Sequence, residues 1–472
     1  MLISVTLMFM SLGVISPFVF SLGYVWVDTL LPQRLSYSLL GNLQLAFIFG
    51  AGAVGIFFLK DRRSPPRIST VYVLIGLMAI WITLTTTWAL VPVFAWAKWD
   101  ASFKTLVFVM FMPFVFRTRV QIEAFVLVFA FAAAAHLLPW GIKTMLSGGG
   151  YQLSLGLMGS NSTMLAESST VAAVTIMFIP LLLWMRQHSL IIPWPAVRLW
   201  TATVMTVLYI VANIGTFART GLLALGVVGF AMLMRTRRKV LYIFLVAILA
   251  GIGFYFTSER WTSRISTISD YETEGSAAVR ILVWLWTLNF ATTHPFGGGF
   301  NSYFINVLSL PAGNGEFTIL TGKAFHNIYM AALGEHGYPG LALYVIILVL
   351  TLWNLQRDIR ICKPRPDLVW AADLARANQL GIAVLMVCGN FVDISFSFIT
   401  WDMIALALCI HAHVNQVTNP RLTLAQRIAL RRSAYVDTPL PSGAAAILNP
   451  IQIADVPRRS TADRGRISPQ AR

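Results

Sequence analysis

Residues 326–353 read HNIYMAALGEHGYPGLALYVIILVLTLW, a run whose second half carries no charge. A helix of about 20 apolar residues crosses the hydrocarbon core of a bilayer while satisfying its own backbone hydrogen bonds. Comparable apolar runs recur along the chain, at residues 2–22, 37–59, 69–90, 101–116, 120–140, 168–185, 199–217, 220–234, 240–256, 376–396 and 398–414. The sequence therefore predicts an all-α polytopic membrane protein with about 12 transmembrane helices.

The composition excludes a soluble globular class. Hydrophobic residues make up 57% of the 472 residues and charged residues 11%, whereas soluble chains carry about 25% charged residues. The net charge of +16 need not indicate nucleic-acid binding, because in a membrane protein the distribution of cations matters more than their sum. The cysteines, Cys362, Cys388 and Cys409, are scattered and predict neither a disulfide framework nor a zinc site.

The basic residues predict the orientation. If residues 60–67 are cytoplasmic, alternation brings the basic clusters at 117–119, 186–198, 235–239, 357–365 and the tail to the same side, in agreement with the positive-inside rule. The chain then divides into transmembrane helices 1–9 (residues 1–256), a long external periplasmic loop (257–325), transmembrane helices 10–12 (326–415) and a basic, partly disordered cytoplasmic tail (416–472). The first run is expected to be retained as a span, with both termini cytoplasmic.

The cations left on the external side are functional candidates: Arg34, Lys98, Lys104, Lys143, Arg219, Arg260, Arg264, Arg280 and Lys323. Arg219 lies in NIGTFARTGLLAL, in a very short turn between two apolar runs, and an ionisable group held at a span end is a site hypothesis by default. Lys104, at the start of the fourth run, follows Trp96 and Trp99. It suits either a ligand contact or an interfacial anchor.

The external loop contains RILVWLWTLNFATTHPFGGGFNSYF, residues 280–304. The spacing of Arg280, Trp284 and Leu288 predicts a helix lying along the outer surface, ended at His294-Pro295 and followed by a turn at residues 297–299. A glycine run can also mark a phosphate loop, but a turn is the commoner use. Arg280 is expected to face the site, and Trp284 suits the headgroup layer.

His326 stands at the outer mouth of the tenth run, and the residues Gly337, Pro339 and Gly340 are expected to break that helix about three turns further in. A histidine there suits a general base, although an interfacial hydrogen-bonding role stays open. Glu335 falls on the opposite helix face from His326 and is expected to pair with a cation from a neighbouring span. The acidic residues Asp270, Glu272 and Glu274 could bind a divalent ion, but alternating acids on a loop are usually solvated, so no metal site is predicted.

Three segments together resemble the O-antigen ligase and polymerase superfamily of bacterial envelope enzymes: TFARTGLLAL, RILVWLWTLNFATTHPFGGGFNSY and FHNIYMAALGEHGYPGL. Their order and the long loop before the histidine match that family across roughly residues 159–350. LLPQRLSYS and WAKWDASFK in the first third are similar to the exosortase-associated O-glycosylation ligases. Gln33 stands where that subgroup has histidine, and GSNSTMLAESS replaces its acidic-Asn segment.

The resemblance implies a GT-C-like membrane enzyme that moves a glycan from undecaprenyl pyrophosphate to an acceptor hydroxyl, on a lipid or a protein, at the outer face of the inner membrane. It implies that Arg219 and Arg280 stabilise the departing pyrophosphate and that His326 is the base, without a metal or another cofactor. Further substrate-binding candidates are Lys104, Asn327, Glu335, Trp284 and Lys323. The alternatives are a polymerase of lipid-linked repeat units, a secondary transporter or flippase, and an assembly scaffold.

Overall fold

The computed structural model describes residues 2–32, 43–147, 167–235, 275–312 and 316–418. The helices within these ranges are α1 (Leu2–Gly13), α2 (Pro17–Leu30), α3 (Leu45–Lys60), α4 (Thr70–Thr87), α5 (Pro92–Val115), α6 (Arg119–Ser147), α7 (Ser168–His188), α8 (Pro195–Gly215), α9 (Arg219–Arg235), α10 (Gly275–Thr293), α11 (Ile328–Cys362), α12 (Val369–Cys388) and α13 (Phe398–Thr418). A hairpin of β1 (Val307–Ala312) and β2 (Glu316–Thr321) stands between α10 and α11. The expected ninth span at 240–256, the acids at 270–274 and nearly all of the basic tail lie outside the described residues.

The described helices form a membrane bundle, as the sequence predicts. Seven of them are long and apolar enough to cross a bilayer, namely α4, α6, α7, α8, α11, α12 with its preceding turn, and α13. The two at the centre are α7 and α13, of whose spans 89% and 83% are buried. α7 packs against α8, α9 and α12, and α13 packs against α5, α11 and α12. The protein is therefore an all-α polytopic membrane protein.

The first apolar run differs from the expected single helix. α1 ends at Gly13 and α2 begins at Pro17, whose missing N–H suits the first position of a helix. Ser16, directly before the proline, is extended (φ −146°, ψ 132°), as the clash with the proline ring requires. At 1.5 Å per residue α1 is only about 18 Å long, which is shorter than the hydrocarbon core.

The eleventh run also begins earlier than predicted, because α12 starts at Val369 and ends at Cys388. Its first turns contain Asp373 and Arg376, which form an ion pair with each other. A paired charge is tolerated near a helix end, so the helix extends beyond the purely apolar stretch.

The basic clusters at 60–67, 117–119 and 186–198 meet at one end of the bundle, which we call the basic end, whereas the clusters at 235–239 and in the tail lie almost wholly outside the described residues. Hydrogen bonds join the segments at 60–67, 114–119 and 186–198 to the end of α13: Arg63 Nη2 to Val115 O (3.3 Å), Arg117 Nη1 to Ser64 O (2.6 Å), Arg119 Nη2 to His188 O (2.9 Å) and His413 Nδ1 to Arg117 O (2.8 Å). His411 of α13 lies 3.0 Å from Asp358 near the end of α11. The arrangement agrees with the prediction, from the alternation of the spans, that these basic clusters lie on the same side of the membrane.

At the opposite end, the segment before α11 contains the predicted helix and a hairpin that the sequence analysis did not foresee. α10 packs against α11 and β1. The antiparallel register pairs Leu308 with Leu320, and these residues form a small second core with Val283 of α10 and Phe325. This end contains the start of α11, and we call it the His326 end.

α11 is broken where the sequence predicts. Gly337 has φ 66° and ψ −168°, a conformation that is essentially restricted to glycine. Because the helical bonding pattern stops there, the carbonyl groups before the break need other donors. Trp81 Nε1 supplies one of them, donating to His336 O at 2.8 Å.

The glycine-rich segment at residues 295–299 fills the break. It runs beside α11 and exchanges backbone hydrogen bonds with residues on both sides of Gly337: Gly298 N to Gly334 O (3.0 Å), Gly299 N to Glu335 O (2.9 Å) and Tyr338 N to Pro295 O (2.9 Å). Gly297 and Gly299 have φ of 81° and 77°, and the hydrogen-bonded turns close from Gly297 N to His294 O and from Ser302 N to Gly299 O, on either side of the predicted position. The glycines allow the backbone of this segment to lie directly against the backbone of α11, because a Cβ on Gly297 would overlap the backbone of Glu335 and Gly337.

Replacing Gly337 by alanine is expected to lower stability by about 1–3 kcal/mol, from the strained φ alone. The added methyl would also overlap the carbonyl oxygen of Pro295. Thermal unfolding of the purified protein in detergent measures the loss. Gly226→Ala is the matched control, since a Cβ at Gly226 meets nothing within 4 Å, and it should melt at or above the wild-type temperature. Equal melting of both variants would contradict the strain argument.

Candidate active site

His326 lies just before the first turn of α11, and its backbone is fixed on the helix side. The next residue, Asn327, is the N-cap, and its side chain accepts from Tyr329 N (2.8 Å) and Met330 N (3.2 Å). Ile328 N donates to Gly389 O at 2.8 Å, which ties the start of α11 to the end of α12. His326 itself has φ 47°, a left-handed conformation that is uncommon for a residue other than glycine.

The preceding residue is fixed by α10. Trp284 Nε1 donates to the carbonyl oxygen of Phe325 at 2.9 Å. The Phe325 ring is fully buried and lies so close to Gly334 of α11 that a Cβ there would overlap it. Trp284 therefore connects the helix that carries Arg280 to the backbone that carries His326. Since Arg280 and Trp284 are four residues apart, they share one face of α10.

A carboxylate joins Arg280 and His326. Glu167, directly before α7, places Oε1 3.3 Å from His326 Nδ1 and 3.8 Å from Arg280 Nη2. Its other oxygen, Oε2, accepts from Thr170 Oγ1 at 3.2 Å. We call Glu167, Arg280 and His326 the Glu167 cluster. Their side chains remain 35%, 26% and 36% exposed, so a ligand can reach them.

The electrostatics of the cluster keep Glu167 ionised. Burial raises the pKa of this carboxyl, but the contact with His326, the charges of His326 and Arg280 and the Thr170 hydroxyl together bring it below its ordinary value. The carboxylate consequently persists to lower pH than that of an exposed glutamate, and its contacts are lost only as the pH falls through the lowered pKa. The site thus holds a negative charge between two nitrogen-bearing side chains.

Arg219 reaches the same end of the bundle. The short turn between α8 and α9 is found at residues 216–218, and Arg219 is the first residue of α9 rather than part of the turn as predicted. The neighbouring Thr220 accepts from Cys388 Sγ at 3.7 Å, one residue before the Gly389 carbonyl that binds the start of α11. Asn213 Nδ2, beside Gly221, donates to Ala172 O of α7 at 2.8 Å. These links place the start of α9 among the starts of α7 and α11.

Glu335 lies away from His326, as the helix geometry predicts, and pairs with a cation from another helix. Its side chain is fully buried, and Oε1 lies 2.7 Å from Lys98 Nζ of α5. The same oxygen accepts from Asn301 N at 2.9 Å, next to the glycine-rich segment. The predicted pairing with a cation is confirmed. These contacts indicate that Glu335 stabilises the structure around the break in α11 by binding both α5 and the residues after the glycine-rich segment.

The remaining substrate-binding candidates have contacts of other kinds. Lys104 forms an exposed pair with Asp100 at 2.6 Å within α5. The backbone of Lys323 exchanges two hydrogen bonds with the Asn306 side chain, at 2.9 and 2.7 Å, and its own side chain is exposed. The Oδ1 of Asn327 is engaged in capping α11. A ligand role for these three residues and for Trp284 stays a prediction.

Glu167 is the residue that the sequence analysis missed. It belongs to GSNSTMLAESS, which was noted only as a departure from the expected acidic-Asn segment. A usable signal was present, since an acidic residue directly before an apolar run commonly lies at a helix N-terminus. Its contacts with His326 and Arg280 join segments that are far apart in the sequence, and no spacing in the sequence predicts them.

Comparison with known families divides the chain into two parts. The model of a family described as O-Antigen ligase matches residues 204–345, which include Arg219, Arg280 and His326. A family of unknown function (DUF5935) matches residues 1–190, which include Glu167. None of the curated proteins matches the chain, and the exosortase-associated subgroup stays a prediction. The match over residues 204–345 supports the resemblance of this part of the chain to the O-antigen ligase and polymerase superfamily.

Proposed function

We propose that the protein is a glycan ligase that transfers a glycan from an undecaprenyl-pyrophosphate carrier to an acceptor hydroxyl on a lipid or a protein. The observation that carries the proposal is the meeting of Arg280 and His326 at Glu167, at the open end of a membrane bundle. A guanidinium and an imidazole side by side are suited to a reaction that releases an anion while an acceptor hydroxyl loses its proton.

The transfer step follows from these groups. The acceptor oxygen attacks the anomeric carbon of the glycan, and the bond between that carbon and the pyrophosphate oxygen breaks with its electron pair going to the pyrophosphate. His326 removes the acceptor proton. Arg280 and Arg219 stabilise the charge that develops on the pyrophosphate, and because an arginine stays protonated at any relevant pH, the step does not require a metal.

The charge distribution supports a site on the outer, periplasmic face of the inner membrane. Three of the basic clusters meet at the basic end, and the positive-inside rule assigns that end to the cytoplasm. The Glu167 cluster lies at the other end, where the carrier lipid can keep its chain in the bilayer and bring its pyrophosphate to the interface. The bundle thus separates the site from the cytoplasmic basic surface.

The proposal predicts that Arg280→Ala reduces transfer about 100-fold, the cost typical of removing one donor to a developing anion. Arg280→Lys should recover only part of the activity, because an ammonium cannot bind bidentately. Arg219→Ala is expected to act in the same direction. The measurement is mass analysis of lipid-linked and transferred glycans in a deletion strain carrying each variant, and in membranes assayed with EDTA.

Arg62→Ala, an exposed cation at the basic end, is the matched control and should transfer normally. In the deletion strain, accumulated lipid-linked polymer supports a ligase, whereas accumulated single repeat units indicate a polymerase of the same superfamily. Normal transfer by both arginine variants would contradict the proposed site. A strict need for a divalent metal would contradict the metal-free step and direct attention to Asp270, Glu272 and Glu274.

A further inference from the structure

The Nδ1 nitrogen of His326 is buried next to a carboxylate. Nδ1 lies 3.3 Å from Glu167 Oε1, so a carboxylate oxygen is its neighbour, although the two atoms do not have hydrogen-bond geometry and Nδ1 has no other hydrogen-bond partner among the described residues. A carboxylate accepts hydrogen bonds and cannot donate one, and a neutral imidazole carries its proton on only one nitrogen. The contact therefore favours the tautomer with the proton on Nδ1, which leaves the lone pair on Nε2.

We propose that Glu167 is a positioning residue that holds His326 with Nδ1–H towards Oε1 and so presents Nε2 to the acceptor hydroxyl. This inference rests on the proposed function of His326 as the base. In the transfer step the hydroxyl proton goes to Nε2, the acceptor oxygen forms its bond to the glycan, and the resulting imidazolium lies beside the Glu167 carboxylate. The imidazolium then releases that proton from Nε2 to water.

The surroundings of Glu167 suit a fixed orienting group. Although it occupies the N-cap position of α7, its carboxylate makes no cap hydrogen bond to the helix backbone. Its Oε2 is bound instead by Thr170 Oγ1, one turn into the helix. α7 is the most buried of the spans in the described part of the chain, so its first turn gives the carboxylate a rigid base. A negative charge is also favourable at a helix N-terminus.

Arg280 remains available to the donor in this arrangement. Its Nη2 lies 3.8 Å from Glu167 Oε1, farther than His326 Nδ1, and a guanidinium has five N–H donors. The alternative is that the carboxylate occupies the pyrophosphate position and has to leave when the donor binds. The two ideas differ in kinetics, since a positioning residue acts on kcat and a competitor for Arg280 acts on the donor KM.

The test uses full-length protein in proteoliposomes with lipid-linked glycan donor. Glu167→Gln keeps the size of the side chain and removes its charge, and kcat is expected to fall by at least about 10- to 100-fold, since loss of a group that orients a metal-bound histidine costs about that much and loss of the carboxylate beside a catalytic histidine costs up to about 10⁴-fold. The donor KM should change by no more than about twofold. Glu167→Asp should recover part of the kcat, and Thr170→Val should lower it less than Glu167→Gln. Asp367→Asn, an exposed acid beside Arg365, is the control and should behave as wild type.

A double-mutant cycle separates positioning from general damage. In the His326→Ala background, Glu167→Gln should cause no further loss, because it acts through the missing imidazole. The inference is overturned if the losses add, if kcat is unchanged in Glu167→Gln, or if only the donor KM falls. Failure of the proposed function is a separate result, in which His326→Ala and Arg280→Ala both transfer normally whatever Glu167→Gln does.

Discussion

Replacing His326 by alanine is expected to reduce glycan transfer by about 10²–10⁴-fold, the contribution typical of general acid–base catalysis, while the bundle stays folded. The side chain is 36% exposed, so its loss leaves no buried cavity. The backbone at this position is left-handed, with φ 47°, and alanine tolerates that conformation poorly. His326→Asn is therefore the more informative variant, since asparagine adopts left-handed conformations readily and cannot act as a base.

Two measurements are needed for this prediction. Mass analysis of consumed lipid-linked donor and of glycosylated acceptor gives the rate, and the melting temperature in detergent shows that the variant is folded. His294→Ala is the matched control. Like His326, His294 lies between α10 and α11, but its ring stacks on Phe290 with 4.2 Å between the ring centroids. Near-normal transfer by both His326 variants would exclude this residue as the base. Loss of activity in His294→Ala as well would indicate that the whole segment is sensitive to change.

Glu335→Ala is expected to destabilise the protein by about 3–5 kcal/mol, the cost of leaving one partner of a buried ion pair alone. The Lys98 side chain is 23% exposed and that of Glu335 is fully buried, so the ammonium would remain in a poorly hydrated environment. The variant also loses the acceptor of Asn301 N. The bonds that hold residues 295–301 against the break in α11 would weaken, and transfer would fall with stability.

Thermal unfolding in detergent measures this effect. The double variant Lys98→Met with Glu335→Gln should recover much of the loss, because it leaves no unpaired charge. Lys104→Ala breaks the exposed pair with Asp100 and should cost no more than about 1 kcal/mol. If Glu335→Ala melted like Lys104→Ala, the pair would have no structural role.

The sequence predicted the features that depend on local pattern. The break at Gly337, the helix of Arg280 and Trp284 and the short turn between α8 and α9 are confirmed, because each depends on residues near one another in the chain. The sequence predicted that Glu335 pairs with a cation. It could not identify Lys98 as that cation, because the two residues are far apart in the chain and no sequence spacing relates them. Glu167 was missed for the same reason, because its contacts join three helices.

The elements that were wrongly predicted have physical explanations. The mean hydropathy of residues 2–22 is high on both sides of Pro17, so this run was expected to be one span. The proline instead begins a second helix, α2. The β-hairpin was also missed, although Asn314-Gly315 between two apolar stretches is a typical hairpin signal. The start of α12 was displaced because the apolar run begins only at residue 376, whereas Asp373 and Arg376 neutralise each other within the helix.

The backbone pairing between residues 295–299 and both sides of the Gly337 break has a mechanical consequence. α11 cannot straighten into a continuous helix without expelling this segment, so the bend belongs to the ground state of the protein. The segment directly follows α10, and a tilt of the His326 half of α11 would therefore pull α10 with it. Arg280 and His326 would then move together, and their separation would be preserved.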